Sequence, residues 1–105
     1  MSIHDAYVQK LKASMNELNA EIKLLEARAD KAGDEAKLKY YKQLDDLEKK
    51  RKEVEDSIEA LQQAGESAWE DLKQGLENSW QILKTSLSKA KSEFERGYRE
   101  GRGED

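Results

Sequence analysis

Apolar residues recur along the chain at steps of three and four. One run holds Val8, Leu11, Met15, Leu18, Ile22, Leu25 and Ala29; a second holds Tyr40, Leu44, Leu47, Val54, Ile58 and Leu61. Such steps keep side chains on one face of an α-helix, and their alternation forms a heptad seam. Arg51 fills the slot between Leu47 and Val54, where a polar residue fixes register or partner number at some cost in stability. Ala36, Tyr40 and Leu44 follow one another at two successive steps of four, a stutter that locally unwinds a supercoil. On a plain helix everything from Val8 to Leu61 falls within an arc of roughly 120°. The stripe crosses Gly33 without a jump in phase, which predicts one long helix over about residues 3–64, opened by Ser2 and Asp5.

Two places carry breaking signals. Ala32-Gly33-Asp34 reads as a glycine stop followed by an Asp cap. Gly65 is followed by Ser67 and Glu70 in capping-box spacing, ahead of a fresh apolar run. Stop and start coincide at Gly65, so the turn is expected there, with a second helix over about 67–98 and a frayed tail over 99–105. The expected fold is all-α: a single coiled-coil domain, built as a helical hairpin that self-associates into a bundle. The alternative adds a break at Gly33 and gives three helices of near-equal length.

The last third is repetitive. AWEDLKQGLEN, SWQILKTSLSK and AKSEFERGYRE align as three blocks of eleven, matching Trp69 with Trp80, Leu72 with Leu83 and Phe94, and Leu76 with Leu87 and Tyr98. Eleven residues are close to three whole turns, so the stripe drifts only about 20° per block. Gly75, Ser79, Ser86, Ala90 and Gly97 lie on or beside it, and small residues there let a partner backbone approach. These blocks resemble the amphipathic eleven-residue repeats of exchangeable apolipoproteins and of late-embryogenesis-abundant stress proteins. The layout of a charged long helix followed by a Trp-x-x-Leu-Lys repeat resembles small bacterial coiled-coil proteins, a group that brings no activity or site residues with it.

Composition agrees with long helices. The 105 residues include no proline, no cysteine and six glycines, and 40% are charged. Cysteine-ligated metal and disulfides are thereby excluded. With 19 basic and 23 acidic residues interspersed, the net charge is −4, which is no footprint for nucleic acid. No apolar stretch is long enough to span a bilayer, and MSIHDAYVQK lacks a signal-peptide core, so a cytoplasmic location is expected.

Candidate chemistry is sparse. Lys49-Lys50-Arg51-Lys52 is matched by acids four residues before and after, which makes it a self-neutralised helix face. His4, the only histidine, precedes the helix without converging partners. Tyr41 lies about 100° from the stripe and suits a third helix. No catalytic, cofactor-binding or metal residue is expected.

A helix of about 60 residues extends about 90 Å and outruns a partner half its length. Bare apolar stripe marks an association surface. The expected seam therefore comprises Val8, Leu11, Met15, Leu18, Ile22, Leu25, Tyr40, Leu44, Leu47, Arg51, Val54, Ile58, Leu61, Trp69, Leu72, Leu76, Trp80, Leu83, Leu87 and Phe94, joining copies in a homo-oligomer, most simply an antiparallel dimer. The expected function is a non-enzymatic structural scaffold, with stress tolerance as one use. The alternative is a peripheral lipid-surface protein. A membrane surface or protein partner would be met through Trp69, Leu76, Trp80 and Leu87, with Lys73 and Lys84 flanking them.

Overall fold

The computed structural model describes residues 2–103, with side chains described through Arg96. Three helices follow one another: α1 (Ile3–Asp30), α2 (Asp34–Gln63) and α3 (Glu66–Gly103). No strand occurs among the described residues. The chain is all-α, and its break near Gly33 is that of the three-helix alternative.

The expected helix over 3–64 is thus two helices. The amide of Lys31 turns onto the carbonyls of Arg28 and Ala29, and that of Ala32 onto Ala29 at 3.1 Å, which tightens the last turn. Gly33 is then extended (φ −67°, ψ 161°) and forms the N-cap of α2, its carbonyl accepting from Lys37 at 2.8 Å. Asp34 is not the cap; with Glu35 it places negative charge on the first turn of α2, where the helix dipole favours it. An apolar stripe can hold its phase through a break as short as this one, because each helix needs its own buried face.

The second turn falls where it was expected. Ala64 is extended and closes α2, and Gly65 accepts the Ala68 amide at 3.2 Å. Helix α3 begins one residue early, at Glu66, so Ser67 already lies inside it and does not cap it. At its other end α3 runs through Gly103, beyond Tyr98; the rest of the expected frayed tail, Glu104 and Asp105, lies outside the described residues. Ser2 does cap α1, accepting the Asp5 amide at 3.1 Å.

The helices run up, down and up. Tyr40 near the start of α2 packs its ring 4.1 Å from that of Phe94 late in α3, while His4 and Trp69 meet where α1 and α3 begin. The molecule measures 59 × 21 × 17 Å, shorter than a 60-residue rod by roughly 30 Å. Its core takes Met15, Leu18, Ile22 and Leu25 from α1, Leu44, Leu47, Val54 and Ile58 from α2, and Leu76, Leu83, Leu87 and Phe94 from α3. Transfer of these side chains out of water is the main stabilising term, about 1.5–3 kcal/mol for each large one before ordering entropy. The stripe from Val8 to Ala29, expected to stay bare, is covered within one chain.

Candidate interaction groove

Helix α2 packs closely on both neighbours, whereas α1 and α3 approach each other closely at few points. The gap between them is an open groove of about 480 Å³. Leu18 and Leu87 form its floor with half-buried Trp80. Ser14, Glu17 and Glu21 line the α1 bank; Lys84, Ser88, Lys91, Ser92 and Glu95 line the α3 bank. Lys91 Nζ reaches Glu21 Oε1 at 3.3 Å across it. Glu17 and Lys84 stand on opposite banks and close no ion pair with each other among the described residues.

One end of this side is sealed by rings. The His4 imidazole stacks on Trp69 with centroids 3.8 Å apart and planes 6° from parallel. Tyr7 meets Trp69 edge-on at 5.5 Å, and the Lys73 ammonium lies 5.0 Å from the Tyr7 ring and 5.7 Å from that of Trp69. His4 is therefore a half-buried part of α1, not a residue ahead of the helix. The Tyr7 hydroxyl donates to Glu77 Oε1 at 3.0 Å. Burial first, then this bond and the carboxylates of Glu77 and Glu70, push the Tyr7 phenol up to about 12 from its ordinary 10.0. A pKa raised in the folded state stabilises the fold below the unfolded value, and that contribution is lost as pH rises through the folded one. Unfolding midpoints should therefore fall between pH 10 and about 12, and more steeply in the native chain than in Tyr7→Phe; equal slopes would remove Tyr7 from the seal.

A second groove, of about 300 Å³, runs between α2 and α3. Lys50 bridges it, donating to Asp46 Oδ2 at 2.7 Å and to Ser86 Oγ at 2.8 Å. Gln43 Oε1 and Glu93 Oε2 are buried there without a hydrogen-bond partner.

The expected seam residues come together inside the bundle, with exceptions. Leu11 and Trp80 are half-buried, and Leu72 is 36% exposed. Leu72 lies one turn before fully buried Leu76, at the edge of the buried stripe of α3. Arg51 lies on the α1–α2 edge, donating to Asn19 Oδ1 at 3.3 Å and pairing with Glu48 and Glu55. Of the four residues expected to meet a partner, Trp69, Leu76 and Leu87 are interior and Trp80 reaches the surface. The basic run is paired much as its spacing implied, with Lys49 to Asp45 at 3.2 Å and Lys50 to Asp46. Gly75 is exposed with open space where its Cβ would be, so it admits no backbone; Gly97 and Tyr98 lie outside the residues whose side chains are described. Tyr41 does meet another helix, through a hydrogen bond to Asp30.

The groove itself went unread in the sequence. Its signal is the charge spacing: Glu17 and Glu21 on α1 against Lys84 and Lys91 on α3. No described helix is long and apolar enough to cross a membrane, and no described cluster of three or more His, Asp or Glu could hold a metal ion. Comparison with protein-family models, with curated proteins and with solved structures gives no match.

Proposed function

We propose that the protein is a non-enzymatic scaffold of the cytoplasm that works by self-association, and that the contact surface is the α1–α3 face, not the heptad stripe. The stripe is consumed within one chain. The observation that supports the α1–α3 face is its groove, where Trp80 stays half-buried and, beside the Glu21–Lys91 pair, Glu17 and Lys84 stay apart on the two banks. A half-buried Trp over an apolar floor is the kind of anchor that protein interfaces are built on.

Sedimentation equilibrium tests this over a wide concentration range. A mass rising from 12.1 kDa toward twice that value is expected, with Trp80→Glu held at the monomer mass. A monomer at every concentration would overturn the scaffold. The lipid-surface reading draws on one feature, Trp80 flanked by Lys84 on the groove. A monomer whose Trp emission shifts to the blue on adding anionic vesicles, but not in Trp80→Phe, would put lipid in place of a second copy.

A further inference from the structure

The charges lining the groove are acidic on α1, at Glu17 and Glu21, and on α3 basic at Lys84 and Lys91 with an acid, Glu95, beyond them. Along α1, Lys10, Glu17 and Glu21 lie on one face at steps of seven and four; along α3, Glu77, Lys84 and Lys91 lie on one face at steps of seven. The signs read plus, minus, minus on α1 against minus, plus, plus and, at Glu95, minus on α3. Because α1 and α3 are parallel, equal levels face one another, as the Glu21–Lys91 contact shows. The other two levels close no such contact: Glu17 and Lys84 stay on their own banks, and Glu77 is engaged by Tyr7.

We infer that a second copy docks on this face in parallel, about a two-fold axis that runs along the bundle, laying α1 of each chain on α3 of the other. This rests on the self-association reading above. A two-fold closes a dimer by using the same patch twice, and its direction decides which charges meet. An axis across the bundle, centred on the groove, sets α1 on α1 and α3 on α3, so that Glu17 and Glu21 face one another and Lys84 and Lys91 do the same. An axis along the bundle keeps every residue at its level and sets Glu17 and Glu21 against Lys84 and Lys91 of the other copy. Like charges across an interface select against the wrong partner geometry, so the charge pattern favours the second axis.

Charge reversal distinguishes the arrangements. The acid-bank variant carries Glu17→Lys and Glu21→Lys; the base-bank variant carries Lys84→Glu and Lys91→Glu. Each alone is expected to dimerise roughly tenfold or more weakly than the native chain, while an equimolar mixture of the two forms a heterodimer by native mass spectrometry. A third variant, with all four changes, keeps opposite signs across its own groove and is expected to dimerise like the native chain, which guards against misfolding of either single-bank variant. A native dimer that survives in each single-bank variant, or a folded four-change variant that stays monomeric, would overturn the parallel arrangement and leave self-association standing. A native chain that never dimerises would overturn both.

Discussion

Trp69→Ala is expected to cost about 3–5 kcal/mol of folding free energy, read from urea unfolding, whereas Trp80→Ala should cost about 1–2 kcal/mol. The two tryptophans occupy the same place in successive eleven-residue blocks, so sequence alone gives them equal weight. The bundle does not. Trp69 is 6% exposed, with His4 stacked on it and Tyr7 against its edge. Its removal opens a cavity at the shared end of α1 and α3 and strips two ring contacts, each worth roughly 0.5–1.5 kcal/mol beyond area. Trp80 is half-buried at the groove, where water can take up the vacated space. In a chain of this size the Trp69 loss corresponds to a drop in melting temperature of at least about 12 °C. Equal costs at the two positions would mean that α3 does not sit on α1 as described.

The second large effect separates two leucines one turn apart. Leu76→Ala should cost about 3–5 kcal/mol and Leu72→Ala less than about 1 kcal/mol, in the same unfolding measurement. Leu76 is 0% exposed and Leu72 36% exposed. A straight stripe on a lone helix would bury both. Leu72 stands about 40° round the helix from Leu76, toward the edge of the buried stripe. Similar losses at both sites would require another chain to cover Leu72.

These two cases show what the residue pattern carries and what it leaves out. Periodicity identified the buried face of each helix, because burial on a helix follows angle about its axis: the stripes Val8 to Ala29, Tyr40 to Leu61 and Leu76 to Phe94 point inward, with only Leu11, Arg51 and Trp80 partly exposed. Periodicity is silent on what stands opposite that face. The phase that carries across Gly33 looks the same in a rod and in a reversal, and Gly33 keeps a negative φ, so the break draws on no conformation that only glycine reaches. Two signals misled in detail. Ser67 and Glu70 have capping-box spacing, but Gly65 already serves as the start of α3. Gly75 sits beside the stripe in sequence yet faces open space, because α3 meets two neighbours, neither of which reaches that flank.

The groove depends on a relation between helices distant in sequence. Glu21 and Lys91 are 70 positions apart, and no local pattern joins them until α1 returns alongside α3. His4 was missed for the same reason: its partner is Trp69, on another helix.

The bundle and its groove both require the chain to reverse at residues 31–33, so that α2 runs back along α1. A pulsed spin-label distance between cysteines placed at Lys12 and Glu59, both exposed, measured in labelled protein diluted with unlabelled chain, decides it. These positions lie side by side in the bundle, so with helix axes about 8–10 Å apart the labels should be within roughly 25 Å. A population near 70 Å, the span of 47 residues of unbroken helix at about 1.5 Å each, would contradict the three-helix fold.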